Sequence, residues 1–140
     1  MHFLIYTSTA SHLMDDSELE NLLENCRMKN LKNDVTGMLL YKEGSFMQLL
    51  EGERNAVMST YDRIEKDTRH KDITLLRERA LPERNFGGWS MGFKSISSGV
   101  LEKTPGFSQL GENTFKSSEL AADPHIALRL LKTFHETTLL

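Results

Sequence analysis

A chain of 140 residues with a formal charge of −3 predicts one domain large enough for a real hydrophobic core. Its 39% hydrophobic and 26% charged residues exclude a disordered or fibrous protein, and the acidic balance argues against a nucleic-acid binder, whose phosphate contacts need a basic surface. One cysteine excludes an intrachain disulfide framework and a cysteine-cluster zinc site. The opening MHFLIYTSTA has no basic leader region, and no stretch reaches the roughly 18 apolar residues that span a bilayer. A soluble, cytoplasmic protein without a membrane partner is expected.

His2 to Thr7 reads as a first strand, apolar and β-branched or aromatic. A helix start follows, with Ser17 and Glu20 spaced as a capping box and Asp15, Asp16 and Glu18 suited to the helix dipole. Leu19, Leu22, Leu23 and Cys26 form the apolar stripe of that helix, which is expected to end near Lys29 or Asn30. Val35 to Tyr41 and Ser45 to Leu50 predict two antiparallel strands joined by a short glycine-containing loop. Asn55 is the expected cap of a second helix reaching about Lys66, with Val57, Met58, Tyr61 and Ile64 as its stripe. Ile73 to Arg79 predicts a fourth strand and Trp89 to Ile96 a fifth, across a loop punctuated by proline and paired glycine. The order predicts an α+β fold, a ferredoxin-like βαββαββ plan with two helices on one face of a mixed five-stranded sheet. Residues 1–97 form the expected domain. Residues 98–140 shift to Ser, Gly, Thr and Lys before Ile126, Leu130, Leu131 and Phe134 restore a helical pattern, so a C-terminal helical extension is expected.

Several residues do not fit a plain core. Gln48 shares a strand face with Phe46 and Leu50, where an amide must satisfy both its ends or cost free energy. Alone it is compatible with a loop cap or a sheet edge. Tyr6 alone reads as a packed ring whose hydroxyl finds some partner, and Asn30 alone as a left-handed helix cap. Trp89 and Met91 read as core residues and Cys26 as a small apolar filler. The five histidines lack metal-ligand spacing, and no nucleophile elbow, phosphate loop or dinucleotide fingerprint occurs. Signals for an enzyme are poor.

Five segments nevertheless stand in one order: Tyr6 in LIYTS, Asn30 in KNLKNDVTGMLLY, Gln48 in FMQLLEG, then DRIEKDTRH and WSMGF. In this the chain resembles the BLUF family of flavin-based blue-light sensors, over residues 1 to about 97. The resemblance implies FAD between the two helices with its ring edge toward the sheet; FMN stays open as the alternative. It implies that Gln48 is the switching amide, reaching both flavin and the Tyr6 phenol, and that Asn30 holds the pyrimidine edge. Trp89 and Met91 would alternate near the pocket and relay the signal. Lys29, Cys26 and Ile64 would line the pocket, and Arg63, Asp67 and His70 match charged family positions. The extension resembles the helical cap of short single-domain members. Output would then run through an unidentified protein partner or a homo-oligomer, without catalysis by this chain. The competing expectation is a small ferredoxin-like enzyme of the acylphosphatase kind, although no loop rich in backbone donors for a phosphate is evident.

The implied chemistry accounts for the residue types. An excited flavin is a strong oxidant, and a phenol can yield an electron and a proton together along a hydrogen bond, which phenylalanine cannot. A glutamine amide donates on one side and accepts on the other, and it can rotate or tautomerise without creating net charge. A rearranged amide bonded to a flavin carbonyl would shift absorption to the red.

Overall fold

Strand β1 (His2–Ala10) is nine residues long and pairs with a neighbouring strand along each of its two edges. The computed structural model describes residues 1–87, 90–95, 129 and 131. After β1 come α1 (Asp16–Asn33), β2 (Thr36–Lys42), β3 (Ser45–Gly52), α2 (Arg54–Glu65), β4 (His70–Ala80) and β5 (Gly92–Ser95). The five strands form one sheet in the order β4-β1-β3-β2-β5. All neighbours are antiparallel except β2 and β5. This is the expected mixed ferredoxin-like sheet.

Local chemistry explains where the elements begin and end. Glu43 and Gly44 both take positive φ, 48° and 87°, between the paired residues Lys42 and Ser45. That pair of angles matches the right-handed twist of a two-residue hairpin. The capping box of α1 lies two residues before the expected one. The Asp15 carboxylate accepts from the Glu18 N–H at 2.9 Å, and the Glu18 carboxylate accepts from the Asp15 N–H. The earlier box seats Met14 and Leu19 in the same apolar cluster, a hydrophobic staple that a cap at Ser17 would replace with Asp16 and Asn21. The helix also runs further than expected. It ends at Asn33, with Asp34 in the left-handed conformation and its N–H on the Asn30 and Leu31 carbonyls. Asn30 is therefore a buried residue of the last turns and not the left-handed cap.

Helix α2 starts after Glu53, with no side-chain cap, and Asn55 falls inside its first turn. The Val57 N–H closes that turn on the Glu53 carbonyl at 2.9 Å, which brings Val57 into the core, fully buried. Strands β1 and β4 are longer than the apolar pattern suggests, because Thr9 and Ala10 still find ladder partners in Lys71 and His70. Strand β5 begins at Gly92, so Ser90 and Met91 precede it. Trp89 and Ile96 lie outside the described residues, as does the expected extension apart from Arg129 and Leu131.

Leu4, Tyr6, Leu39, Phe46 and Leu50 on one face of the sheet join Leu19, Leu23, Val57 and Tyr61 of the helices in one cluster. The alternate residues Ile5, Met38, Leu40, Met47 and Leu49 are also fully buried, and so is Leu131. Both faces of β1, β2 and β3 are therefore shielded from water, whereas the edge strand β4 has no buried residue. Gly37 permits the closest approach within it. A Cβ there would lie 2.0 Å from the Leu49 carbonyl oxygen and 3.2 Å from the Met91 methyl carbon, so only glycine leaves room for β3 and Met91 together.

Candidate functional site

A cleft enclosing about 710 Å³, open solvent included, lies between the helices and the sheet. Its floor is Tyr6 of β1, Leu39 of β2, and Phe46, Gln48 and Leu50 of β3. Strand alternation explains why Phe46, Gln48 and Leu50 point the same way. Helix α1 contributes Leu22, Cys26, Lys29 and Asn30, and α2 contributes Thr60, Arg63 and Ile64. Asp67, Arg69 and His70 complete the wall at the α2–β4 junction. The structure thus brings Tyr6, Cys26, Lys29, Asn30, Gln48, Arg63, Ile64, Asp67 and His70, each singled out from the sequence, to one cavity. Met91 lies behind it, against Gln48.

Tyr6 and Gln48 are cross-strand partners in the β1–β3 ladder, 3% and 2% exposed. The Tyr6 hydroxyl donates to Gln48 Oε1. Gln48 Nε2 donates to the Met91 sulfur at 3.3 Å, a weak acceptor. The amide is therefore occupied at both ends, firmly by the phenol and loosely by the thioether. Burial raises the Tyr6 pKa well above its ordinary value, and the nearby Cys26, Tyr61 and Asp67 push in the same direction. Tyr6 stays a protonated donor. Its ring packs on Tyr61, with centroids 5.6 Å apart, and meets His70 edge-on at 6.3 Å.

Two residues of α1 hold the segment that carries Met91. Asn30 Nδ2 donates to the Ser90 carbonyl at 2.8 Å, and Arg27 Nε donates to the Met91 carbonyl at 2.9 Å. Arg27 is not evident from the sequence, where it reads as one more charge on a solvated helix face. Its spacing of three from Asn30, one helical turn, is the signal that places both on the same side.

Lys29, Arg63 and Arg69 bring positive charge to the cleft, opposed by Asp67. Arg69 is a further residue that the sequence reading passed over, although it sits between Asp67 and His70 in DRIEKDTRH. Its Nε donates to both Asp67 oxygens at 3.0 Å. That hydrogen bonding holds the Asp67 pKa below its ordinary value against the opposing effect of burial, and raises that of Arg69. The His70 Nε2–H donates to the Ile64 carbonyl at 2.6 Å. The other ring nitrogen, Nδ1, is hydrogen-bonded with the Ser8 hydroxyl at 2.9 Å. His70 thereby ties the end of α2 to β1 beside Tyr6. Burial pushes the Cys26 thiol pKa up despite the nearby Arg69 and Lys29, which keeps it a neutral filler. Among the described residues no cluster could hold a metal ion, and no helix is long and apolar enough to cross a membrane.

Apolar walls at Leu22, Leu39, Leu50 and Ile64, amides at Asn30 and Gln48, and cations at Lys29, Arg63 and Arg69 define the ligand chemistry. They suit a flat heteroaromatic ring with hydrogen-bonding edge atoms and an anionic tail.

Comparison with known proteins agrees with this chemistry. The profile of the family described as "BLUF: Sensors of blue-light using FAD" matches residues 1–92. Photoactivated adenylate cyclase subunit alpha of Euglena gracilis is 38% identical over 84 residues, 60% of this chain and 8% of that protein. The blue light- and temperature-regulated antirepressor BluF of Escherichia coli (strain K12) is 38% identical over 87 residues, 60% of this chain and 21% of its own length. The chain thus spans less than a quarter of the length of these curated relatives. Among solved structures, BlsA in its photo-activated state superposes with a TM-score of 0.79 at 30% identity, covering 95% of this chain and 94% of that one. BlrB in its dark state gives 0.72 at 26%, covering 92% and 95%.

Proposed function

Because the chain belongs to the BLUF family, the sensors of blue light using FAD, we propose that it is a blue-light photoreceptor switched by the Tyr6–Gln48 pair. The observation that carries this reading is the Gln48 amide, buried at the floor of the cleft, bonded to a phenol at one end and to a thioether at the other. The residues of the cleft fit the family's cofactor. In this reading Asn30 and Gln48 hold the polar edge of the ring, while Ile64 and Cys26 pack on it. Lys29 and Arg63 meet the phosphates, and Asp67 and His70 brace the wall beside them.

Bound there, FAD supplies under blue light an excited state that accepts an electron. Tyr6 has one hydrogen-bonded exit for its proton, the Gln48 oxygen. It yields that proton as an electron leaves the ring, and takes both back. If Gln48 has rotated meanwhile, its Nε2–H points at the Tyr6 oxygen and its Oε1 at the Met91 sulfur. A thioether has no proton to donate, so the contact with Met91 is lost. In the amide's tautomer a proton is gained at Oε1 and one is given up at Nε2, which likewise makes the side facing Tyr6 a donor. Either way no net charge is created in a site that would penalise one.

The Met91 segment is the outlet. It is gripped by Arg27 and Asn30 of α1 and leads directly into β5. Release of the sulfur shifts the population of this segment, with Trp89, beyond the described residues, as the expected partner of Met91. Output then passes to a partner protein or to a second copy of the chain. The name of the Escherichia coli relative, an antirepressor, supports a protein partner over catalysis by this domain. The family match favours the sensor over the acylphosphatase-like alternative. The reading is tested with Gln48→Leu. The variant is expected to bind FAD yet show no reversible red shift under blue light. A normal shift in the variant would remove the amide from the mechanism.

A further inference from the structure

Glu51 is 0% exposed, although it is a carboxylate near the end of β3. Alternation from Gln48 turns its side chain to the opposite face of the sheet from the cleft. There Oε2 accepts from the Asn85 N–H at 2.7 Å, and Oε1 accepts from the Phe86 N–H at 2.6 Å and from the Thr36 hydroxyl at 3.0 Å. Arg84 closes the arrangement. Its Nη1 donates to the Thr36 hydroxyl at 2.8 Å, and its Nη2 donates to the Asp34 carbonyl at 2.8 Å and pairs with the Asp34 carboxylate at 3.2 Å. Phe86 itself is 1% exposed.

Burying a carboxylate is costly, and an apolar residue would fill the space without that cost. What the carboxylate adds is a strong acceptor for two backbone N–H groups of the loop that leads to Met91. The loop is thus held twice. Glu51 fixes it on the far face of the sheet, and Arg27, Asn30 and Gln48 hold Ser90 and Met91 on the cleft face.

We propose that Glu51, with Thr36 and Arg84, is a positioning anchor that confines light-driven movement to the Met91 end of this loop and sets the rate of dark recovery. The inference rests on the photoreceptor reading. Glu51 shares β3 with Gln48, so one strand carries both the switch and the fixed point against which its output moves. With Asn85 and Phe86 held, the Met91 sulfur stays close to the Gln48 amide and re-forms its contact quickly. Without the anchor the segment explores more conformations, and the return slows.

The test uses the whole chain loaded with FAD. Amide hydrogen exchange is measured in darkness and under blue light. Asn85 and Phe86 are expected to stay protected in both, while Met91 and Gly92 lose protection in the light. Equal loss at Asn85, Phe86 and Met91 overturns the proposal. Glu51→Gln replaces one accepting oxygen with a donor. It is expected to keep FAD and the size of the red shift but to slow dark recovery about fivefold, a fraction of one charge-assisted hydrogen bond. Thr36→Val is expected to slow recovery and Thr36→Ser to restore it, and this pair decides the matter if Glu51→Gln does not fold. Recovery unchanged in these variants, with the shift intact, overturns the anchor alone. A chain whose spectrum ignores light overturns the photoreceptor reading and the anchor with it.

Discussion

The Tyr6 hydroxyl donates to the amide oxygen of Gln48, its direct neighbour across the β1–β3 ladder. The register makes this contact, since a shift of one residue in either strand would turn one of the two side chains to the other face. Replacing Tyr6 with Phe removes the proton and the donor while keeping the ring. Tyr6→Phe is expected to retain FAD, to lose the light-induced red shift, and to cost about 1–3 kcal/mol for the unpaired buried Gln48 oxygen. Absorption spectra and urea unfolding of the two proteins check both expectations. A persisting shift would show that the phenol is dispensable.

Asn30 couples the cleft to the Ser90 carbonyl. Truncation to alanine removes a polar contact for the bound ring and loosens the segment before β5. Asn30→Ala is expected to weaken FAD binding about tenfold, the effect of roughly one hydrogen bond. Fluorescence titration of the apoprotein measures it. Affinity equal to that of the unsubstituted chain would place Asn30 in the fold alone.

The raised pKa of Tyr6 has a definite sign. Unfolded, the phenol ionises near its ordinary value of 10.0, while burial keeps the folded one protonated beyond that. Its contribution to stability is therefore complete below about pH 10 and declines as pH rises above it, because there the unfolded chain has released a proton that the folded chain still holds. Tyr61, also raised by burial, acts in the same direction. Between about pH 6 and pH 9 the light-induced shift is expected to keep its amplitude. Difference spectra across that range check this. An amplitude that titrates away near neutral pH would mean that Tyr6 is not the proton donor. At the acidic end the sign reverses for Asp67. Its pKa lies below the ordinary 3.8, so its stabilisation is present above that value and is lost as pH falls through the lowered one.

The strand and helix order was legible because apolar periodicity decides it, and Gln48 stood out as a polar group between apolar neighbours. Tyr6 and Asn30 read alone as a packed ring and a helix cap, and took on roles only through the ordered motifs that resemble the BLUF family. Element ends were less legible. Ser17–Glu20 and Asp15–Glu18 both satisfy a capping box, and only the tertiary packing that places Met14 and Leu19 in one apolar cluster selects the second. Thr9 and Ala10 extend β1 because partners exist on both sides, which local composition does not show. Arg27, Arg69 and Glu51 stayed hidden for a common reason. An isolated charge reads as solvated surface until the fold supplies its partner, and those partners lie 64 residues away for Arg27 and 34 and 35 for Glu51. Arg69 has a near partner in Asp67, but nothing in the local pattern points it at the cleft.

The central claim is that the buried Tyr6–Gln48 pair rearranges around a flavin in response to light. The visible absorption spectrum of the purified chain, recorded with FAD before, during and after blue illumination, tests it most directly. The account predicts flavin bands that move to the red under light and return in darkness. A chain that takes up no flavin, or one whose bound flavin shows no reversible shift, would contradict it.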